Sequence, residues 1–406
     1  MATHRLYYDD SFLRNFTARV LSCLPVEPVS TESGTKPAWE VLLDRTAFYP
    51  ASGGQPHDLG RLGEAVILNV RDEGEEIAHI VDRELIPGVV DGCLDWARRF
   101  DHMQQHTGQH LLSAMFQEQF GLPTVSFHLG SDLCTIDLRG PEPSVDVLRG
   151  AQRAANTIIF EDRPVNVRYG TADQLAQRGV RKEVDREGIL RALEIEAADL
   201  QPCGGTHVKS TGQIGLVLAR RCTKIRQDWR VEFVCGGRAE RFATGDFQLL
   251  RAIGERFSCA PEEAPAAIEK SSAERDASAK SLRTVLQQLA EARAKCMIAD
   301  SQAGDDGLRV VAEALREENV ELLLPLASEL AKNEKMVALL VHEATGQLVF
   351  AQSPGAGKDL SAVLKQLLVT IPAKGGGTRD FVRAKLIDRS QCSAALALAR
   401  QVLRAY

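Results

Sequence analysis

The chain has 406 residues, of which 44% are hydrophobic and 26% are charged, and its formal net charge is −6. A chain of this length exceeds one ordinary domain, so the composition predicts a soluble, globular protein of two or three domains. No apolar run approaches the ~18 residues of a membrane span and none follows the first residues, so we expect neither a membrane protein nor a signal peptide.

The first 93 residues have the pattern of short strands. Segments such as Ala18–Leu21 and Trp39–Leu43 are separated by polar turns such as residues 32–37, and short strands at regular spacing predict a small β-barrel. Residues 52–56 (SGGQP) contain too much glycine for a strand interior. We interpret them as a loop whose backbone approaches the substrate or a neighbouring domain, with a plain tight turn as the alternative.

Residues 94–245 alternate predicted helices with predicted strands, which is typical of a mixed α+β domain. An amphipathic helix is predicted over 101–120, where Gly121 and Pro123 end the pattern. A second helix is predicted over 145–160, with Ser144 as its N-cap. Strands are predicted at 124–129, 134–138, 215–218 and 230–234.

The C-terminal part begins with a predicted linking helix over residues 262–298, which carry a narrow apolar stripe at helical spacing. This helix either pairs with a second copy in a homodimer or packs on its own chain. A compact α/β domain is predicted over 300–406, with strands at 308–312, 336–342 and 347–352 and helices at 318–332, 360–368 and 394–403. The triglycine Gly375, Gly376 and Gly377 follows the second of these helices, as a loop that contacts RNA or as an ordinary helix cap.

Charge and cysteine content limit the partners and the compartment. A net acidic chain is unusual for a general nucleic-acid-binding protein, but residues 220–241 hold seven basic against three acidic residues, and residues 374–389 hold five against two. Such patches fit a protein that touches RNA at selected points, although solvated surface would look the same. The nine cysteines have no disulfide spacing, which predicts a reduced, cytoplasmic protein.

Two short motifs carry the residues of a candidate metal site. His106 and His110 stand at i and i+4 in HTGQH, so a helix would present both imidazoles on one face. Cys203 and His207 flank a Gly-Gly turn in CGGTH, where the backbone can bend both side chains toward one ion. Three imidazoles and a thiolate suit Zn²⁺. In either motif alone, the histidine or cysteine would more often be an ordinary core or surface residue. The two motifs together indicate a metal site.

These motifs and their surroundings resemble the alanyl-tRNA editing family, which comprises the free-standing AlaX-type proteins and the editing domain of alanyl-tRNA synthetase. The resemblance covers nearly the whole chain. Its motifs are LYYDD at 6–10, FYPASGGQPHDLG at 48–60, RFDHMQQ at 99–105 before HTGQH, SFH at 126–128, the CGGTH loop, and KGGG at 374–377. This order is similar to that of the long AlaX form, with segments related to the editing and C-terminal domains of the synthetase.

The resemblance implies a ligand set and a reaction. One zinc ion per chain would be held by His106, His110, Cys203 and His207. The reaction would be hydrolysis of the aminoacyl ester on mischarged alanine tRNA, with seryl-tRNA and also glycyl-tRNA as substrates. The residues expected to contact the substrate are Gly53, Gly54, Gln55, His128, Gly375, Gly376 and Gly377. The segment after the triglycine reads TRDFVRAK, which departs from the second glycine-rich run of the family.

Editing requires polar recognition of serine, because a pocket that admits serine cannot exclude the smaller alanine by size. Thr107 and Gln109, beside the ligands, are the catalytic candidates for hydrogen bonds to the serine hydroxyl. His128 lines the same pocket or is an ordinary strand histidine.

Four protein ligands would saturate a structural zinc, so either one ligand gives way to water or substrate, or the coordination expands during reaction. The alternatives to a deacylase are a tRNA-binding module with a structural zinc and no hydrolysis of its own, and a zinc hydrolase that acts on a small ester or amide.

Overall fold

The computed structural model describes residues 2–31, 34–181, 187–316 and 319–405. The chain forms two compact units, Met1–Ala252 and Ile253–Tyr406. Both contain helices and strands, so the predicted mixed α+β class is confirmed. Within the described ranges, no helix combines the length and the apolar character that crossing a bilayer requires.

The first unit opens with strands that pair in a closed ring. In chain order its elements are β1 (His4–Arg5), α1 (Leu6–Asp9), β2 (Asn15–Thr31), β3 (Gly34–Leu43), β4 (Arg45–Thr46), β5 (Gly60–Leu62), β6 (Ala65–Glu73), β7 (Glu76–Val81) and β8 (Gly88–Leu94). The ring runs β2-β3-β7-β6-β5-β8 and closes from β8 to β2. Alternating apolar side chains fill it, with Val41, Leu43 and Phe48 inaccessible to solvent.

The strands of this ring are longer than the sequence predicted. Residues 34–37, expected in a turn, belong to β3, and residues 32 and 33 of that turn lie outside the described residues. Pro37 is compatible with a strand because this end of β3 pairs with β2 alone, whereas β7 pairs only with Trp39–Leu42.

The rest of the first unit packs helices against a four-stranded sheet. Its elements are α2 (Trp96–Phe120), β9 (Thr124–Leu129), β10 (Cys134–Leu138), α3 (Val145–Phe160), β11 (Val165–Gly170), α4 (Ala172–Gln177), β12 (Leu190–Ile195), β13 (Asp199–Pro202), β14 (Val217–Ile225), β15 (Asp228–Cys235) and most of α5 (Gly236–Phe257), whose last turn belongs to the second unit. The sheet order is β14-β15-β10-β9, while β11-β12-β13 form a second sheet. The predicted strands at 124–129 and 134–138 are confirmed, as is the helix at 145–160 with its Ser144 cap.

Helix α2 is the central element of this half. It begins at Trp96, earlier than predicted, because the Asp95 side chain accepts a hydrogen bond from the Arg98 amide as an N-cap. It ends, as predicted, before Gly121, whose φ of 64° is left-handed. A Cβ at Gly108 would lie 2.3 Å from Cys235 Sγ, so α2 can lie against β15 only with glycine at that position.

A buried ion pair joins α2 to the ring of strands. The side chains of Arg99 and Asp58 are both inaccessible to solvent. Arg99 Nε lies 3.0 and 3.1 Å from the two carboxylate oxygens, and a second guanidinium nitrogen donates to the Ser11 carbonyl at 2.9 Å. The Tyr49 amide donates to the same carboxylate at 2.7 Å. Every group around this pair is therefore hydrogen-bonded, as a buried charge requires.

The second unit is a five-stranded sheet with helices on its faces. Its elements are α6 (Ala264–Asp300), β16 (Arg309–Leu315), α7 (Leu323–Ala331), β17 (Met336–His342), β18 (Gln347–Gln352), α8 (Leu360–Thr370), β19 (Ala373–Gly377), β20 (Phe381–Leu386) and α9 (Cys392–Ala405). The order is β16-β17-β18-β20-β19, and apolar clusters cover both faces. The helix predicted over 318–332 begins only at Leu323, and residue 318 lies outside the described residues.

The triglycine is part of a strand, so its predicted loop conformation is wrong. Gly375–Gly377 form the end of β19, antiparallel to β20 at the edge of the sheet. A Cβ at Gly375 would lie 2.2 Å from the Arg383 carbonyl oxygen, and one at Gly377 2.2 Å from that of Phe381. The absence of side chains at these two positions therefore lets the edge strand approach its neighbour.

Candidate metal centre

Four side chains from two distant segments converge in the first unit. His106 and His110 project from α2, and Cys203 and His207 lie in the turn that follows β13. Their ligand atoms all lie within 4.8 Å of one another. Cys203 Sγ is 3.2 Å from His207 Nε2 and 3.5 Å from His106 Nε2. The sequence predicted this set, and the structure brings all four residues together in a group that could hold a metal ion.

The glycine-rich segment fixes the orientation of His106. Gln55 Oε1 lies 2.9 Å from His106 Nδ1, and Gln55 is itself held by the Thr206 amide and hydroxyl at 3.2 and 2.8 Å. A carbonyl oxygen accepts, so Nδ1 carries the proton and Nε2 keeps its lone pair for the cluster. A Cβ at Gly205 would lie 2.2 Å from the His106 ring, so this packing requires glycine there.

Thr107 orients His207 in the same way. Its hydroxyl donates to the Met103 carbonyl at 2.8 Å, so its oxygen is free to accept from His207 Nδ1 at 3.2 Å and from the Val208 amide at 3.3 Å. This arrangement leaves His207 Nε2 facing Cys203. The Thr107 hydroxyl therefore contacts a candidate ligand and not the cavity described below.

His110 is oriented by a buried carboxylate. Asp199 Oδ2 lies 3.2 Å from His110 Nδ1, and Arg181 binds the same carboxylate at 2.7 and 3.3 Å. Burial would raise the pKa of Asp199, but the bonds from His110 and Arg181 lower it below its ordinary value. His110 Nε2 is buried without a hydrogen-bond partner in the described ranges. A buried nitrogen in this state fits a metal ligand.

A cavity of about 700 Å³ opens beside the cluster. Gly53 and Gly54 line it from a tight turn in which Ser52 and Gln55 exchange backbone hydrogen bonds and both glycines have positive φ. Residues 52–55 therefore form the tight turn that the sequence left as an alternative, and this turn lies at the cavity wall. Aromatic residues line other parts of the wall, among them Tyr7, Tyr8, Tyr49 and Phe127.

Of the other residues predicted to contact the substrate, some line this cavity and some lie elsewhere. Gln109 lines the cavity, its amide nitrogen donates to Ser113 Oγ at 2.9 Å, and its buried Oε1 has no partner in the described chain. His128 is exposed on β9, and its neighbour Phe127 lines the cavity instead. Gly375, Gly376 and Gly377 belong to the second compact unit.

Comparison with known proteins identifies the family. The family model "Threonyl and Alanyl tRNA synthetase second additional domain" matches residues 190–227, which include the CGGTH turn. The alanyl-tRNA editing protein AlaX-L of Pyrococcus horikoshii is 31% identical over 94% of both chains, and Aarsd1 of Rattus norvegicus, also named an alanyl-tRNA editing protein, is 28% identical over 94% of both. The chain belongs to the alanyl-tRNA editing protein family.

One solved structure also resembles part of this editing-family chain. The C-Ala domain of alanyl-tRNA synthetase from Aquifex aeolicus is 19% identical, and the match covers 26% of this chain and 97% of that domain. The TM-score of 0.22 is too low for this likeness to carry an argument about fold or function.

The electrostatics of the cluster in this editing-family chain favour a thiolate at Cys203. Burial alone would raise the pKa of the Cys203 thiol, but the imidazoles of His106, His207 and His110 outweigh it and hold that pKa well below its ordinary value. A thiolate with three imidazoles of fixed tautomer is a donor set that zinc favours. The residues present therefore fit the zinc that the family resemblance implies.

Sequence reasoning missed the residues that orient the ligands. Asp199 and Arg181 lie outside every motif, and Gln55 was predicted to contact substrate, whereas its amide group bonds to His106 and Thr206. The available signal was an acidic residue next to apolar residues at Ala198–Leu200, because a carboxylate buried in a short strand requires a partner.

Replacing Asp199 with Asn is expected to weaken zinc binding about 10- to 100-fold, because a ligating histidine loses the carboxylate that fixes its tautomer. Competition between the metal-free protein and a chromophoric chelator measures this affinity directly. Asp146→Asn, an exposed change in the first turn of α3, is the matched control. Unchanged affinity in Asp199→Asn would show that this carboxylate does not support the metal site.

Proposed function

We propose that this protein is a trans-editing hydrolase that deacylates mischarged Ser-tRNA(Ala) and Gly-tRNA(Ala) in a zinc-dependent reaction. The observation that carries the proposal is the convergence of His106, His110, Cys203 and His207. Three of these four residues, all except His207, line the same cavity as Gln109. The names of the relatives, which are alanyl-tRNA editing proteins, support the same substrate class. The reaction would make the chain a carboxylic ester hydrolase. We place this enzyme in the cytoplasm.

The four residues would hold one zinc ion per chain. When bound, zinc supplies Lewis-acid chemistry, which polarises an ester carbonyl or lowers the pKa of a water molecule. The chain's own contribution is to keep three imidazoles and one thiolate aimed at a single point through Gln55, Asp199 and Thr107. Such fixed side chains need little reorganisation during the reaction.

Gln109 is the residue best placed to select serine. Gln109 lines the cavity. Its side-chain nitrogen is bound by Ser113, while its buried Oε1 has no partner in the described chain and can accept a hydrogen bond. The hydroxyl of a seryl group would donate to that oxygen, whereas an alanyl group would leave it unpaired. An unpaired buried acceptor costs about 1–3 kcal/mol, so the difference favours serine. Thr107, the other candidate, would act on serine only indirectly, through His207.

Gln109→Met is expected to lower kcat/KM for seryl-tRNA about 10- to 100-fold, the equivalent of about 1.4–2.7 kcal/mol. Hydrolysis of glycyl-tRNA should change much less, because glycine has no hydroxyl to lose. Gln117→Met, on the same helix but outside the cavity lining, is the control. Equal losses for both substrates would show that Gln109 has a structural role and does not select serine.

The remaining assignments concern contacts with the RNA. We assign the ring of residues 1–93 as a small β-barrel that supplies the Gly53–Gln55 turn, residues 94–245 as the editing core, and residues 300–406 as an RNA-binding domain with its triglycine strand. The helix predicted at 262–298 would join them and serve as a homodimer contact. Part of the basic segment 220–241 is neutralised, because Arg220, Arg230 and Arg238 form ion pairs with Asp246, Asp137 and Asp101.

The experiment that tests the function follows the release of amino acid from Ser-tRNA(Ala), Gly-tRNA(Ala) and Ala-tRNA(Ala) over time. We expect rapid loss of serine and retention of alanine, and the same assay tests glycine as a second substrate. If folded, zinc-loaded protein binds the tRNA but leaves seryl-tRNA intact, the deacylase assignment is wrong. The protein would then be a tRNA-binding module with a structural zinc.

A further inference from the structure

A second, smaller cavity lies beside the first turns of α2, away from the lining of the larger one. It has a volume of about 370 Å³, and its lining includes Arg98, His102, Ser131, Arg238 and Arg241. His102 precedes the ligand His106 by four residues, a distance of about 6 Å along the helix axis. The cavity is therefore about one helical turn from the metal centre.

The cavity carries excess positive charge. Arg238 is neutralised by Asp101, which also lines the cavity, with Arg238 Nε 2.9 Å from the nearer carboxylate oxygen. Arg98 and Arg241 form no ion pair with any described residue, and the Arg98 side chain donates to the His57 carbonyl through Nε, at 3.0 Å. The carboxylates of Asp58 and Asp95 also act on Arg98 from outside the lining. The lining itself holds three guanidinium groups against one carboxylate, and such a concave site attracts anions.

A buried histidine adds an unpaired polar atom. His102 is only 3% exposed, and its Nδ1 has no hydrogen-bond partner in the described chain. Burial and repulsion by Arg98 and Arg238 lower the pKa of His102 to about 3, so its ring is neutral under physiological conditions. A neutral imidazole can place its proton on Nδ1 and donate to an oxyanion, and the exposed Ser131 hydroxyl can do the same.

We propose that this cavity binds a phosphate group of the tRNA backbone near the aminoacylated end. The inference rests on the proposed function, because the ester of that tRNA would occupy the metal centre one helical turn away. The site offers two guanidinium groups, an imidazole and a hydroxyl, which together match the several acceptor oxygens of a phosphodiester. A free phosphate ion has the same chemistry, so the test must separate the two sources.

The test uses Arg241→Gln in the full-length protein, because Arg241 is exposed on α5 and its loss should not affect folding. Arg149→Gln, an exposed change on α3 outside the cavity, removes the same charge elsewhere. The first readout is the binding of uncharged tRNA(Ala) at several salt concentrations. The second readout is the separate measurement of KM and kcat for seryl-tRNA. The seryl ester of adenosine, which lacks the RNA backbone, serves as the comparison substrate.

We expect Arg241→Gln to weaken tRNA binding about 5- to 20-fold and to reduce the slope of log affinity against log salt by about 0.7–0.9, the value for one phosphate contact. KM for seryl-tRNA should rise with kcat unchanged, while the seryl ester of adenosine should be hydrolysed as by wild type. Arg98→Gln should repeat the effect. Arg149→Gln should have little effect on any of these measurements.

Two results would overturn the proposal. In one, Arg241→Gln and Arg149→Gln bind tRNA equally well; in the other, Arg241→Gln loses binding of inorganic phosphate while tRNA binding is unchanged, which would identify a free-anion site. The tRNA-binding readout does not require catalysis. A wild-type protein that binds tRNA through Arg241 but does not hydrolyse seryl-tRNA would therefore refute the proposed function and leave this inference standing.

Discussion

Replacement of Cys203 with Ala is expected to abolish deacylation of seryl-tRNA and to remove the stoichiometric zinc. Loss of a residue that only orients a metal ligand costs about 10- to 100-fold in affinity or activity, so loss of a ligand itself should exceed about 100-fold. Cys203 is also the only thiolate of the cluster. Without it, three neutral imidazoles would have to hold the dication, which is a weaker site.

The measurement is metal content by elemental analysis together with single-turnover deacylation on the same preparations. Cys93→Ala, which removes an exposed cysteine far from the cluster in sequence, should keep wild-type zinc and activity. Circular dichroism separates loss of metal from loss of fold. A folded Cys203→Ala variant that still deacylates at the wild-type rate would contradict the assignment of this cluster as the reaction centre.

Replacement of Arg99 with Met is expected to lower the free energy of unfolding of the first unit by about 3–5 kcal/mol. The change leaves the Asp58 carboxylate inaccessible to solvent without its counter-charge, and an uncompensated buried ion is among the largest single-site penalties. Because the pair joins α2 to the ring of strands, the loss should also impair zinc binding at His106 and His110, which lie further along α2.

All three tryptophans, Trp39, Trp96 and Trp229, lie in the first unit, so tryptophan fluorescence during guanidinium denaturation reports that unit alone. Arg61→Met, an exposed change on β5, should shift stability by less than about 0.5 kcal/mol. The double variant Asp58→Asn with Arg99→Met removes both charges and keeps an acceptor for the Tyr49 amide. It should recover part of the loss, and no recovery would indicate that packing rather than charge dominates at this site.

The sequence predicted the donor residues because metal ligation limits the residue types and their spacing. His106 and His110 share a helix face at any i, i+4 spacing, and the Gly-Gly turn between Cys203 and His207 is a local feature. The strands at 336–342 and 347–352 were likewise predictable, since each contains an apolar run, at 336–341 and 348–351, that is buried in the second unit.

The orientation of the ligands could not be predicted in the same way. Asp199 lies 89 residues from His110 in the chain, and it reaches that ring only because β13 packs beside α2. Strand β13 has just four residues and contains both an acidic residue and a proline, so local propensity opposes it. Its conformation depends on pairing with β12, which is a tertiary effect.

The sequence shows where glycine permits an unusual backbone conformation, but it does not show which conformation the chain adopts there. The triglycine was expected to form a loop because it follows a predicted helix. In the structure, Gly375 and Gly377 instead allow β19 to approach β20 at distances that a Cβ would prevent. The partner strand, which lies beyond the triglycine in sequence, decides between the two outcomes.

Zinc dependence of the reaction is tested by titration of metal-free protein with zinc while hydrolysis of Ser-tRNA(Ala) is followed. If the cluster of His106, His110, Cys203 and His207 is the reaction centre, activity should rise linearly and stop at one zinc per chain, with the fold unchanged by circular dichroism throughout. Full activity in folded protein that contains no zinc would show that the reaction does not depend on a metal at this cluster.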